Sequence, residues 1–278
     1  MNIKENKNSQ REVIGLLPSA GKASRLAPLP CSKELLAIGF HAIDKGRSLS
    51  VKVVSHYLLE KMRLANIRKA YIILREGKWD IPAYFGDGKM LDMHLAYLIM
   101  DLPYGVPYTL DQAYPFVQDA MIALGFPDIV FHPDDAFVRL LAKQKESNAD
   151  IVLGLFPASQ PHKTDMVELN ADGRIRSIQI KPNTTHLIYT WQIAVWTPRF
   201  TRFMHDYILD LQKISENKKD IKELFVGDVI QEALQNNIKI DTVLFKDGSS
   251  LDIGTPEDLI KAVRTTNKMF KQVQENYD

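Results

Sequence analysis

The chain has little cysteine and no long apolar run. Cys31 is alone among 278 residues, so no internal disulfide is possible, and this fits a reducing compartment. Between Pro30 and Ser32 it reads as an ordinary loop residue rather than a reactive thiol. The seven histidines show no paired ligand spacing, which with one cysteine argues against a structural zinc site. No apolar stretch reaches the ~20 residues that a membrane helix needs. Met1 to Glu12 is polar and lacks the hydrophobic centre of a secretory signal, so residues 1–11 read as a flexible tail and the expected location is cytoplasmic. A net charge of +1 supplies no broad field for nucleic acid or an anionic membrane, so neither is an expected partner. With no internal repeat or low-complexity linker, residues 12–278 read as one domain.

What is present is an alternation of short apolar runs and amphipathic segments. It predicts an α/β fold, a Rossmann-like three-layer α/β/α domain around a mixed, mainly parallel sheet. Strands are expected at Val13–Leu17, Ala70–Leu74, Ala120–Leu124, Ile151–Phe156, Ile188–Trp196 and Ile240–Phe245, with a hairpin over Met166–Ile180 turning at Asp172-Gly173. Val51, Val54, Leu58, Met62 and Ala65 follow helical spacing, giving a helix from Val51 to a stop at Asn66. Further helices are expected from near Asp134, over Arg199–Leu211 and around Val229–Leu234. The last helix starts at Thr255 as N-cap, with Pro256 at its first position and Glu257 and Asp258 at the positive end of its dipole. Leu259, Val263 and Phe270 would pack it inward.

The first loop, Pro18 to Leu26, leaves the C-terminal end of a central strand, where open α/β sheets bind ligands. Its small residues, Ser19, Ala20, Gly21, Ala23 and Ser24 beside Lys22, allow backbone N–H groups to approach a phosphate. Arg25 adds a planar fork suited to phosphate oxygens. The stretch is neither G-x-G-x-x-G nor G-x-x-x-x-G-K-[ST], which excludes a dehydrogenase-like dinucleotide fingerprint.

Ala20-Gly21-Lys22-Ala23-Ser24-Arg25-Leu26-Ala27-Pro28 followed by Ser32-Lys33-Glu34-Leu35-Leu36 resembles the signature of the sugar-1-phosphate nucleotidyltransferase family. Later segments resemble it in order. Tyr84-Phe85-Gly86-Asp87-Gly88 is similar to a segment preceding an edge strand, and Pro103 to Tyr108 to a loop that contacts base and sugar through Gly105. Phe126-Pro127-Asp128 stands at a central strand end, Lys181-Pro182 follows the hairpin, and Leu251 to Leu259 matches D-x-G-T-P-E-D-L closely.

The resemblance implies a Mg²⁺-dependent transfer of a nucleoside monophosphate from an NTP, with UTP or dTTP favoured, to a sugar 1-phosphate. The products are an NDP-sugar and pyrophosphate. Arg25 and Lys33 would hold the triphosphate, Asp128 and Asp252 the metal, and Lys181 and Gln192 the sugar phosphate. A homo-oligomer, dimer or tetramer, is implied as well. Joining two anions demands positioning and charge neutralisation, and two carboxylates with phosphates and water suffice for Mg²⁺. Asp87 is equally a turn residue, His132 reads as a loop histidine, and Trp191 and Trp196 as core. The pattern breaks at Ala20, Ala23-Ser24, Ser32 (proline in the family), Ile180 (glutamate) and Gln192 (glycine), so the sugar-reading residues differ while the chemical ones persist. Two alternatives stay open: a cytidylyltransferase of the same fold, and a non-catalytic subunit that senses nucleotide sugar. With only a short segment after the last helix, an appended acyltransferase domain is not expected.

Overall fold

A computed structural model of the chain describes residues 11–43, 48–101, 104–215 and 223–275, with side chains over the same spans except 42–43, 215 and 268–275. Strand β1 (Val13–Pro18) is buried from Ile14 to Leu17, as its unbroken apolar sequence requires of a strand covered on both faces. It lies parallel to β4 (Lys69–Arg75) on one side and to β6 (Met121–Gly125) on the other. Strand β5 (His94–Met100) extends this parallel block beyond β4 and forms the sheet edge.

Beyond β6 the direction reverses. Strand β11 (Tyr189–Trp196) is antiparallel to β6 through its last four residues and to β8 (Ile151–Pro157) along its length. Strand β12 (Ile240–Leu244) adds to β8 in parallel. The first two residues of β11 carry a hairpin of β9 (Met166–Leu169) and β10 (Ile175–Gln179). The result is a nine-stranded mixed sheet whose direction changes between β6 and β11.

Alternation along the strands sends side chains into two separate cores. Ile14, Leu16, Ile122, Leu124, Leu153, Ala194 and Trp196 face one layer, filled by α3 (Val106–Asp111), α6 (Pro198–Ser215) and α7 (Val226–Gln235). Leu17, Ala123, Val152, Ile193 and Val195 face the other, filled by α1 (Val54–Leu64) and α5 (Ala136–Ser147). This is the expected α/β/α sandwich. Trp196 is fully buried and its Nε1 donates to Thr201 Oγ1 at 2.9 Å, so the core role expected of it is the one it has.

One helix boundary is corrected. Val51 does not begin a helix; it lies in β3 (Ser48–Val53), which pairs with β2 (Ala37–Ile43) in a hairpin outside the main sheet. Val51 is 48 % exposed, and the chain passes from strand to helix only at Val53–Val54. The apolar spacing is genuine, but its first member belongs to the strand. Asn66 adopts a left-handed φ of 59° just past the helix, as its place as a stop anticipates. The last helix, α8 (Pro256–Glu275), begins as expected, with the Asp258 N–H donating to Thr255 Oγ1 and Leu259 and Val263 packed on the cluster of Ile38, Val54 and Ile253. The tail over residues 1–10, Pro103 and the Phe270 side chain lie outside the described residues. Among the described residues no helix is long and apolar enough to cross a membrane.

Candidate active site

The candidate cleft opens where the sheet changes direction, at the C-terminal ends of the parallel strands β1 and β6 and beside the start of β11. Arg25, Lys33, Asp128, Lys181, Gln192 and Asp252 all line it, in a cavity of about 360 Å³. Residues separated by more than two hundred positions thus meet at one place.

The two aspartates converge through a ribbon. Strand β7 (Ile129–His132) pairs antiparallel with β13 (Ser249–Asp252), with Asp252 opposite Ile129. The Ile253 N–H donates to the Asp128 carbonyl at 3.0 Å, so backbone bonding fixes Asp252 beside Asp128. Burial, and then the charge of Asp128, raise the Asp252 pKa to about 6 against the pull of Lys33 and Arg25. Asp252 is still reached by solvent at the cleft, although protein surrounds it on the other sides.

Lys33 begins a 3₁₀ turn (Lys33–Leu35) and its ammonium forms an ion pair with Asp128. Burial works against this charge, but Asp128, assisted by Glu34 and Asp252, overcomes it and raises the Lys33 pKa. Behind it, Glu34 accepts two hydrogen bonds from Lys78, at 2.6 and 2.8 Å, in a buried pair. Burial moves both partners toward their neutral forms, Glu34 upward and Lys78 downward. That pair anchors the turn from below.

The first loop divides its residues among several places. Ser19 continues β1 by donating its N–H to the Ile73 carbonyl at 2.8 Å, and both Ser19 and Ala20 are buried. Gly21 and Ser24 are exposed at the tip. Ala23 takes a left-handed φ of 53°, a conformation that costs an L-residue roughly 1–2 kcal/mol, and closes a turn in which the Leu26 N–H reaches its carbonyl. Lys22 and Ala23 line a neighbouring cleft of about 430 Å³ with Arg75 and Lys78, and Lys33 borders both cavities. Arg25 lies over Gly254, where an added Cβ would stand 2.9 Å from its Nη2.

Gly105 stands next to Val106 of the main cleft, with φ 124°. A Cβ there would fall 2.0 Å from the Leu224 carbonyl, so only glycine permits this backbone pairing. Lys181 Nζ sits 3.8 Å from the centre of the Phe225 ring. Gln192 is buried, and its Nε2 has only long contacts of 3.4 Å to Thr164 and Thr190.

Residues of less certain role are also placed. Asp87 accepts the Lys89 N–H at 3.0 Å and serves a turn away from the cleft. His132 lines a neighbouring cavity, not the cleft. Burial, with Asp80 and Glu34, raises the Cys31 pKa, keeping it a thiol. Trp191 is 5 % exposed and packs near Phe126, yet it also forms part of the cleft wall.

Comparison with known proteins identifies the family and the fold. The model of the nucleotidyl transferase family matches residues 14–269, nearly the whole chain. The chain belongs to that family. Among curated proteins, it is 24 % identical over 254 residues to a glucose-1-phosphate thymidylyltransferase of Streptomyces antibioticus, covering 90 % of this chain and 65 % of that one. It thus spans a little under two thirds of that relative. A glucose-1-phosphate thymidylyltransferase of Mycolicibacterium smegmatis is 25 % identical over 89 % of this chain and 80 % of its own. Two solved structures share the fold. A Bacillus anthracis protein assigned as a glucose-1-phosphate thymidylyltransferase and bound to sucrose has a TM-score of 0.74 at 18 % identity, covering 91 % of this chain and 95 % of its own. A UDP-glucose pyrophosphorylase complexed with UDP-glucose has a TM-score of 0.72 at 15 % identity, covering 94 % and 99 %.

Sequence reasoning missed part of the cleft. Asp258, taken for a helix-dipole acid, is buried and accepts bonds from Gln160 at 2.9 Å and Thr255 at 2.9 Å, with Lys163 at 3.4 Å. Burial alone would raise its pKa, but these donors bring it below the usual carboxylate range. It ties the loop after β8 to the start of α8. Thr164, Asp165 and Thr190 also line the cleft, and nothing in their local pattern distinguishes them from hairpin residues. Ser32 has a local reason to differ from proline. Its N–H and Oγ donate to Asp80 at 2.6 and 2.7 Å, and proline has neither donor.

Proposed function

We propose that this nucleotidyltransferase joins a sugar 1-phosphate to the nucleoside monophosphate of an NTP, UTP or dTTP being favoured, and releases pyrophosphate. The observation that carries the reading is the meeting of Arg25, Lys33, Asp128 and Asp252 with Lys181 and Gln192 in one cleft. One end of it is strongly ionic and the other mixes polar and aromatic groups.

In the reaction an oxygen of the sugar phosphate attacks the α-phosphorus, a new P–O bond forms, and the bond to the β-phosphate oxygen breaks. The electron pair leaves with pyrophosphate, and no proton transfer is needed. The protein's task is to bring anions together and neutralise them. Arg25 and Lys33 hold the triphosphate, and Lys181 holds the acceptor phosphate on the other side of the α-phosphorus. Phe225 under the Lys181 ammonium limits where that charge can sit. Lys33, paired with Asp128, exchanges part of that bond for phosphate oxygens when the triphosphate enters.

The donor set fits Mg²⁺. Asp128 and Asp252 are adjacent, and the charge of Asp128 is felt at Asp252. Among the described residues no cluster of three or more metal-ligating side chains exists. That suits an ion which takes one or two carboxylates and completes its shell with phosphates and water. When bound, it neutralises charge on the reacting phosphates.

The test is pyrophosphate release from purified protein with Mg²⁺, each NTP including dTTP, and a panel of sugar 1-phosphates. Release that requires one NTP and one sugar phosphate establishes the reaction and names both substrates. A folded protein that is silent with every pair refutes the catalytic reading; if it still binds nucleotide sugars, a sensing role replaces it.

A further inference from the structure

Lys33 has two carboxylates near it and pairs with the one more distant in sequence. Its ammonium forms an ion pair with Asp128, although Glu34 is its chain neighbour and also bears on its charge. Glu34 is engaged elsewhere. Its two carboxylate oxygens accept from the Lys78 ammonium at 2.6 and 2.8 Å, and both residues are buried. Lys78 comes from the loop after β4, where its N–H donates to the Arg75 carbonyl at 3.3 Å and Gly77 between them takes a φ of 87°. Lys78 borders the neighbouring cleft of about 430 Å³, which Lys33 borders as well.

Stability alone does not call for this pair. The Lys33 turn is already tied down without it: Ser55 Oγ donates to the Glu34 carbonyl at 2.7 Å, and Ser32 bonds Asp80 through both its N–H and its Oγ. A buried ion pair is costly to desolvate, and a well-packed apolar pair of similar volume often serves as well or better. What a buried glutamate beside Lys33 introduces is competition. In a partly buried site an ammonium is drawn strongly to any free carboxylate within a few ångströms. Glu34 without Lys78 offers Lys33 such a partner, and Glu34 does not line the main cleft. With Lys78 in place, Glu34 acts on Lys33 through its field while its oxygens are occupied.

We infer that Lys78 is a positioning residue for Lys33. By occupying both oxygens of Glu34 it withholds that acid from Lys33, and leaves the Lys33 ammonium turned to Asp128 and open to an incoming phosphate. The inference rests on the function proposed above, in which Lys33 holds the triphosphate. It adds to that site a residue which acts through two other side chains.

Calorimetric binding of UTP and dTTP with Mg²⁺, and initial rates of pyrophosphate release with a sugar 1-phosphate, test this. The wild-type protein should bind at least one of the two nucleotides. Lys78→Met frees Glu34 and should weaken binding of that nucleotide by about tenfold or more, raising its KM while the KM for the sugar phosphate stays within about twofold. Glu34→Leu combined with Lys78→Met removes the competitor together with its lock, and should return nucleotide affinity to within about threefold of wild type. If Lys78→Met does not fold, Lys78→Gln, with one nitrogen to offer Glu34, should show a smaller loss in the same direction, and full affinity there overturns the inference. Full affinity in folded Lys78→Met, or no recovery in the folded double variant, overturns it too and leaves the proposed function standing. So do equal rises in both KM values that track a loss of thermal stability, since the pair is then structural only. Wild-type protein that binds neither nucleotide and releases no pyrophosphate overturns the proposed function, and this inference with it.

Discussion

The two ends of the cleft are built differently. The ionic end rests on parallel strand ends and a backbone-bonded ribbon: the loop after β1, the turn holding Lys33, and the β7–β13 pair that sets Asp252 against Asp128. The other end rests on the antiparallel strand β11 and its attached hairpin, where Asp165 precedes β9 and the consecutive Thr190, Trp191 and Gln192 line the cleft beside a register shift in β11. At the first end, geometry comes from short contiguous segments. At the second, single residues spaced along a strand decide what faces the ligand. On the function proposed above, charge handling would be held by local backbone structure and ligand choice by individual side chains.

Removing a carboxylate at the ionic end should break the comparison most strongly. Asp252→Asn or Asp128→Asn should lower turnover by about two to three orders of magnitude, with an unchanged circular dichroism spectrum. Near-normal Mg²⁺-dependent turnover in either variant would remove these residues from metal binding. At the other end, Lys181→Ala should raise KM for the sugar phosphate by roughly tenfold to a hundredfold and leave KM for the NTP nearly unchanged. Equal effects on both constants would mean that Lys181 serves the whole cleft.

A third comparison is energetic. The Asp165 pKa is raised above its unfolded value, so the folded state holds the proton more tightly than the unfolded state. Stability contributed by this group is therefore present at acid pH and declines as pH rises from about 4 to about 6. Asp165→Asn should be more stable than wild type at pH 7, by up to about 3 kcal/mol, with the advantage vanishing near pH 4. Chemical denaturation at both pH values measures it, and an advantage independent of pH would show that the carboxylate is not the source. The smallest effect is expected at the loop. Ser32→Pro, compatible with its φ of −57°, removes both donors to Asp80 and should cost about 1–2 kcal/mol. Unchanged thermal stability would mean that those bonds add nothing net.

Much of the fold was legible because its strands are buried on both faces. Ile14 to Leu17 and Ile151 to Phe156 are apolar without interruption, and only a covered strand tolerates that. The hairpin of β2 and β3 was not legible, because Val51 stands three residues before Val54 and seven before Leu58, the spacing of a helix face. Periodicity cannot show that the chain changes direction between two members of an apparent series. In the cleft, the residues named beforehand were those in compact motifs. Gly105 has a backbone reason to be glycine, its close approach to Leu224.

Sequence by itself determined the layered α/β architecture, the capped start of the last helix and the identity of the charged residues. Each of these follows from local periodicity, cap chemistry or a contiguous motif. Only the tertiary structure decided that Asp252 lies against Asp128 and that Lys33 joins them. Such neighbours are created by strand pairing and by the point where the sheet reverses direction, and neither leaves a trace in the spacing of residues along the chain.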